Sequence, residues 1–91
     1  MSANPTSGQI VTGPNIEVSL RFNSRIDAQR SRIILVAEDG SAHGLAIDRQ
    51  PSPDSLAAEA DGLSAGAYVL RWQVLATDGH ITRGELPFRV R

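Results

Sequence analysis

The chain has 91 residues, a net charge of −1 and a pI near 6.0, which fits one domain and gives no electrostatic reason to expect nucleic-acid binding. All nine basic residues are arginine, and they are spread along the chain. The absence of cysteine excludes a disulfide framework, a thiolate metal site and cysteine catalysis. Because no segment approaches the ~20 apolar residues of a spanning helix, we expect no direct membrane insertion.

The first half of the chain is predicted to form short strands separated by turns. Residues 16–22 alternate apolar and polar side chains, which is typical of a half-buried strand. A continuous apolar run at 33–37 predicts another strand, and the Glu-Asp-Gly sequence at 38–40 predicts the hairpin turn that ends it. Residues 45–47 predict a short return strand. Residues 49–54 are predicted to form a loop, because the prolines at 51 and 53 cannot donate to a strand ladder.

The second half repeats this pattern. We predict a strand at 56–60, since five alanine-rich residues are too few to hold an isolated helix. Alternation over 68–76 predicts the strongest strand, and 86–90 predict the last one, with Pro87 indicating an edge or a bulge. Tyr68 follows a glycine turn, a position typical of the tyrosine corner of immunoglobulin-like sandwiches. An ordinary core tyrosine is the alternative.

About seven short strands with turn signals between them and no helical period predict an all-β fold. We assign residues 1–91 to a single domain of this kind, an immunoglobulin-like Greek-key sandwich or barrel. Trp72 shares a face with Tyr68 on the strongest predicted strand, and we expect it to fill the core.

Asp78 and His80 stand two residues apart and are the candidate metal ligands. Residues i and i+2 of an extended strand point to the same side, so the two side chains could converge on one ion. Cu(II) favours nitrogen and oxygen donors in a tetragonal plane and stands at the top of the divalent affinity order. The alternative is a hairpin turn, because Asp-Gly is a favoured turn dipeptide. If Gly79 has a positive φ, convergence would instead depend on the shape of the loop.

Motifs along nearly the whole chain resemble the copper-resistance protein family called CopC. The opening at 3–8 (Ala-Asn-Pro-Thr-Ser-Gly) is similar to that family's small-x-Pro-x-x-Gly start. The strand that follows Pro14 and ends at Phe22 is similar to its first strand. Residues 63–72 resemble its Leu-x-x-Gly-x-Tyr-x-x-x-Trp segment, and residues 78–88 resemble its Asp-x-His-x-x-x-Gly-x-x-x-Phe ending.

This resemblance implies a small β protein that carries Cu(II) in the periplasm near a CopD-type inner-membrane partner. It also implies a Cu(II) site made by an N-terminal histidine, which binds through its amine and its ring, together with the Asp and His of the Asp-x-His motif. Asp78 and His80 match that motif. The N-terminal histidine has no counterpart in residues 1–3, and no acidic residue follows Phe22, where some members have a glutamate. We therefore predict weak Cu(II) binding, and we expect Asp78 and His80 to lie near the N-terminus and Ser24.

Two function classes remain open from the sequence. The first is a periplasmic protein, with its leader removed, that carries or buffers Cu(II) without catalysing a reaction. The alternative is an immunoglobulin-like interaction module that has lost tight copper binding and uses an exposed strand edge. His43, the only other histidine, follows the 38–40 turn and is expected to be a solvated loop residue. A Ser24–His80–Asp78 hydrolase arrangement lacks any sign of an activated serine, so we predict no enzyme.

Overall fold

Two β-sheets pack face to face in the computed structural model, which describes residues 2–91. Among these residues there is no helix long and apolar enough to cross a membrane. The strands are β1 (Ser2–Asn4), β2 (Ile10–Val11), β3 (Ile16–Arg21), β4 (Ile26–Ala37), β5 (Ala42–Leu45), β6 (Ile47–Arg49), β7 (Ser55–Ala60), β8 (Gly66–Ala76) and β9 (Ile81–Val90).

One sheet has the order β1-β3-β7-β6, and the other has the order β2-β9-β8-β4-β5. All neighbouring strands are antiparallel except β2 and β9, which run parallel. Alternate side chains of the inner faces form one core between the sheets, as expected for a sandwich. Its fully buried members include Val18, Leu20, Leu56, Leu70 and Phe88. The prediction of an all-β Greek-key sandwich is confirmed, with the short β1 and β2 added to the predicted strands.

The segment predicted as one return strand at 45–47 is divided between the two sheets, so that prediction is wrong. Strand β5 ends at Leu45 and pairs with β4, whereas β6 begins at Ile47 and pairs with β7. Only Ala46 separates them, and the chain crosses from one sheet to the other there. The ambiguous residues 56–60 do form a strand, as predicted.

Strand β4 begins at Ile26, well before its apolar run, and its first half contains an irregularity. Its register with β8 shifts between Asp27 and Arg32, which inserts polar residues into the strand. The buried hydroxyl of Ser31 bridges this region: it donates to the Asp27 carbonyl at 2.7 Å and accepts from the Leu75 N–H at 3.1 Å. A side chain thus replaces the ladder bonds that the irregularity removes.

Tyr68 forms the predicted tyrosine corner. Its hydroxyl donates to the carbonyl of Ser64 at 2.7 Å, and its ring stacks on Phe88 with 5.7 Å between centroids. The hydrogen bond ties the turn before β8 to the core, because Tyr68 is itself buried. The Tyr68 hydroxyl therefore anchors the start of strand β8.

Pro87 lies where the sequence placed it, at an edge position of β9. Strand β2 pairs with β9 only opposite Arg89 and Val90. The Pro87 carbonyl accepts from the Gly8 N–H at 2.7 Å, on the side away from β8. Since a strand residue points its nitrogen and carbonyl the same way, Pro87 removes no donor from the β8–β9 ladder.

Candidate metal centre

Asp78 and His80 lie in the tight turn between β8 and β9, at one end of the sandwich. The Gly79 N–H donates to the Ala76 carbonyl at 2.9 Å, and the Ala76 N–H donates to the His80 carbonyl at 2.8 Å. Gly79 has a φ of 96°, a left-handed conformation that favours glycine. The backbone is therefore not extended here, and the expected same-face geometry of an i, i+2 pair does not apply.

The two side chains nevertheless meet, and the shape of the turn brings them together. Asp78 Oδ1 accepts the backbone N–H of His80 at 3.0 Å, an arrangement typical of an Asx turn. Its other oxygen, Oδ2, lies 3.0 Å from Nδ1 of the His80 ring. Both side chains are open to solvent, with 61% of Asp78 and 85% of His80 exposed. A carboxylate and an imidazole are thus presented together at the tip of the hairpin.

The local hydrogen bonds keep the Asp78 carboxylate charged. The backbone N–H of His80, and then its ring, lower the pKa of Asp78 below its ordinary value of 3.8. When Nδ1 of a neutral imidazole donates to a carboxylate, Nε2 carries the lone pair and is free to bind a metal ion. Rotation of the His80 ring would instead let both side chains bind one ion. Either arrangement suits a divalent cation that accepts nitrogen and oxygen donors.

Backbone contacts hold this turn against the loop between β3 and β4. The Thr77 N–H donates to the Arg25 carbonyl at 2.9 Å, one residue after Ser24. At the other side of that loop, Arg21 pairs with Ser2 in strand β1. Strand β1, the β3–β4 loop and the β8–β9 turn therefore lie at the same end of the sandwich. The contact between Thr77 and Arg25 uses only backbone atoms, so no side-chain motif could have indicated it.

We expected Asp78 and His80 to lie near Ser24 and the start of the chain. This topology places them at the same end of the sandwich as the loop that contains Ser24 and as Ser2. Met1, the other part of that expectation, lies outside the described residues. Within residues 2–91, no group of three or more His, Cys, Asp or Glu side chains could hold a metal ion. The pair therefore supplies the donor types that Cu(II) favours and half of the four that a tetragonal plane requires.

His43 cannot join this pair within one chain. It pairs with Leu35 in the β4–β5 ladder, whereas the turn adjoins the position where Ile26 pairs with Ala76. Those two points on β4 are nine residues apart (35 − 26), which is roughly 25 Å along a strand with one irregularity. His43 is exposed, as expected, but it lies in the edge strand β5. The expectation of a loop residue is wrong.

Comparison with known proteins gives a family and two close folds. A family model described as the CopC domain matches residues 1–91. CopC from Methylosinus trichosporium OB3b is 29% identical, with a TM-score of 0.90 over 99% of this chain and 89% of that one. PcoC, a methionine-rich copper resistance protein from Escherichia coli, is 23% identical, with a TM-score of 0.81 over 100% of this chain and 95% of that one, and supports the fold alone. The sequence matches no curated protein.

Proposed function

The chain belongs to the CopC family, and we propose from this premise that it is a periplasmic protein that carries or buffers Cu(II) through Asp78 and His80. The family match and the likeness to CopC from Methylosinus trichosporium OB3b support a role in copper resistance. The choice of Cu(II), of these two ligands and of the compartment is our proposal. We propose binding and release of the ion, with no catalytic step.

The convergence of Asp78 and His80 is the observation that carries this proposal. One carboxylate oxygen and one ring nitrogen lie 3.0 Å apart at a solvent-open turn, where an arriving ion meets no barrier. Both donor types suit Cu(II). Cu(I) prefers thioether and thiolate donors, and the sequence has no cysteine and a single methionine, Met1. The available chemistry therefore favours the oxidised ion.

Weak binding is the expected behaviour of this donor set. With two protein ligands, water molecules would fill the remaining positions of the plane. These water molecules would exchange readily at so exposed a site. The CopC resemblance implies that a histidine at the N-terminus supplies the missing amine and ring nitrogens. Ser2 pairs with Arg21 at the same end of the sandwich as His80, which supports this completion for a chain that carries such a residue.

The proposed partners follow from the same resemblance. A CopD-type inner-membrane protein is the partner that the family implies for passing copper on. We propose no interaction with nucleic acid, because the nine arginines are balanced by ten acidic residues and are dispersed along the sequence.

A second candidate function is an interaction module that keeps the fold without tight copper binding. The observation that favours it is the donor count, since the proposed site offers two protein donors and residues 2–91 hold no group of three or more potential metal ligands. Such a module would act through surfaces other than the β8–β9 turn. Its copper affinity would not change when an N-terminal histidine is added.

Electron paramagnetic resonance of bound Cu(II) separates these candidates. We expect the chain to give a weakly bound signal with coupling to imidazole nitrogen, lost in His80→Ala and kept in His43→Ala. A version beginning with histidine at the family's position should bind more tightly with additional nitrogen coupling. If neither the chain nor the histidine-extended version binds Cu(II), the interaction-module candidate replaces the copper-carrier proposal.

A further inference from the structure

A cleft of about 670 Å³ opens at the end of the sandwich opposite the β8–β9 turn. Its floor is apolar and includes Leu35, Leu45 and Tyr68, and its walls come from the β4–β5 hairpin and the loop between β7 and β8. This volume lies within the range of ligand pockets, which are usually lined by apolar groups with a few polar ones. The cleft is independent of the proposed copper site, because it shares no residue with that turn.

The rim of the cleft is acidic. Glu38, Asp39, Glu59 and Asp61 line it, and none of the lining residues in the described chain is lysine or arginine. None of these four carboxylates takes part in a salt bridge among residues 2–91. The hydroxyl and then the N–H of Ser41 lower the pKa of Asp39 from 3.8, so this group stays charged. No salt bridge thus neutralises these rim carboxylates, although the charge of nearby His43 also contributes to lowering the pKa of Asp39.

The acidic rim is a local feature rather than a property of the whole surface. The chain carries a net charge of −1, so removing four carboxylates from the count leaves +3 for the rest (−1 + 4). Negative charge is therefore concentrated around the cleft, although Arg89, the partner of Ala67 in the β8–β9 ladder, lies at the same end of the sandwich. A ligand that complements this end must be cationic, and it must also cover apolar surface.

The wall of the cleft formed by β5 is an edge strand. β5 pairs only with β4, and the inward side chains of His43 and Leu45 line the cleft. The Ala37 N–H donates to the Ser41 carbonyl, so by alternation Ala42 and Gly44 direct their N–H and carbonyl groups to the outer edge. No atom approaches a β-carbon position at Gly44 within 4 Å. An extended chain can therefore add to this edge.

We propose that this cleft binds an extended, basic segment of a partner protein, in which arginine or lysine side chains flank a leucine-sized apolar side chain. The apolar side chain enters the cleft beside Leu45, on the inner face of β5, and the basic side chains meet Glu38 and Asp61 at the rim. The backbone of the segment pairs with the outer edge of β5. Charge complementarity steers the encounter, and the apolar contact holds the segment.

The test uses the 91-residue chain labelled with ¹⁵N and two capped pentapeptides, one of alternating arginine and leucine and one of alternating glutamate and leucine. We expect the arginine peptide to bind with a Kd below about 1 mM, as for a small transient interface. It should shift the amide signals of Gly44, Gly62 and Gly66 and leave those of Gly79 and His80 unchanged. The glutamate peptide should shift none of them.

Matched charge variants make the test specific. The double variant Glu38→Gln with Asp61→Asn should weaken binding about tenfold, because it removes two rim carboxylates. The double variant Asp48→Asn with Glu85→Gln removes two carboxylates outside the cleft and should change the Kd less than about twofold. If the first double variant melts early, its two single substitutions give the same comparison.

The proposal is overturned by any of three results. The first is an equal loss of binding in both double variants, which would mean that only net charge matters. The second is that the arginine peptide shifts amide signals at the β2 edge in place of those at the cleft. The third is that spermidine matches the peptide both in affinity and in the amide signals that it shifts. Such a result would identify a small polycation as the ligand.

Discussion

The indole ring of Trp72 lies against the backbone of Gly84, its direct partner across strands β8 and β9. A β-carbon at Gly84 would stand 2.9 Å from the indole Nε1 and still closer to two ring carbons. Nε1 itself is buried and has no hydrogen-bond partner among residues 2–91. The glycine of the Asp-x-His-x-x-x-Gly pattern therefore has a packing role, since it leaves room for the tryptophan of the other motif.

Replacing Gly84 by alanine should destabilise the protein because the ring and the strand cannot both keep their positions. Overpacking of this kind costs about 1–3 kcal/mol, which lowers the Tm by about 5–20 °C in a domain of this size. Gly44→Ala is the matched control, because nothing lies within 4 Å of its β-carbon position. Thermal melting followed by circular dichroism compares them, and equal Tm values for the two variants would contradict this account.

The sequence predicted strands where one face is buried and the other is not. Residues 16–22 and 68–76 alternate clearly, and both form strands of the sandwich with buried inner side chains. The beginning of β4 could not be predicted this way, because the register shift between Asp27 and Arg32 places polar residues inside the strand. Periodicity identifies regular pairing, and irregular pairing depends on contacts such as the Ser31 hydroxyl.

The candidate site was identified by spacing and motif, whereas its geometry depends on one backbone angle. Asp78 and His80 converge through the left-handed Gly79 and the Asx turn, which an i, i+2 strand argument does not describe. His43 was wrongly expected in a loop because the short β5 has too few residues for a clear alternation. Short edge strands are decided by pairing with a neighbour, and pairing is not visible in local sequence.

Ser31→Ala should destabilise the protein by leaving two half-buried backbone groups without their partner. The Asp27 carbonyl loses its donor, and the Leu75 N–H loses its acceptor. Because water can partly satisfy half-buried groups, the loss should be about 1 kcal/mol, at the low end of the range for buried ones. Urea unfolding measures this loss, and hydrogen exchange should show faster exchange at the Leu75 amide. Ser7→Ala, at an exposed position, is the control and should change stability by less than about 0.5 kcal/mol.

The loop before β7 should make stability sensitive to acid. Hydrogen bonds from the Ser52 hydroxyl and then from Arg21 lower the pKa of Asp54 from 3.8. As pH falls, the unfolded state therefore binds a proton before the folded state does, so stability is present above pH 3.8 and declines as pH falls through the folded-state pKa. The Tm of the unmodified chain should fall between pH 7 and pH 3, and that of Asp54→Asn should fall less.

A control variant distinguishes this effect from a general change of net charge. Asp61→Asn also removes one acidic group, but it lacks the hydrogen bonds that Asp54 makes with Ser52 and Arg21. The difference between Tm at pH 7 and pH 3 should therefore be reduced more by Asp54→Asn than by Asp61→Asn. The opposite order would show that the Ser52 and Arg21 contacts do not control acid stability.

Cu(II) should raise the melting temperature of this chain only slightly. With Asp78 and His80 as the protein ligands, we take free copper comparable to the dissociation constant, so binding stabilises the fold by RT ln 2, about 0.4 kcal/mol. At about 4–8 °C per kcal/mol, the Tm should rise by about 2–3 °C. A complete site saturated about a hundredfold would give about 2.7 kcal/mol and a rise above about 10 °C.

Three variants decide between an incomplete and a degenerate copper site. His80→Ala should abolish the small rise, and His43→Ala should preserve it, because His43 in β5 pairs with the part of β4 that is far from the β8–β9 turn. A chain extended at its N-terminus to begin with histidine should show the large rise, since Ser2 and the β8–β9 turn occupy the same end of the sandwich. A large rise in the unextended chain would mean that a ligand besides Asp78 and His80 takes part. A small rise in the extended chain would mean that the site has lost its function, and the interaction-module candidate would then stand.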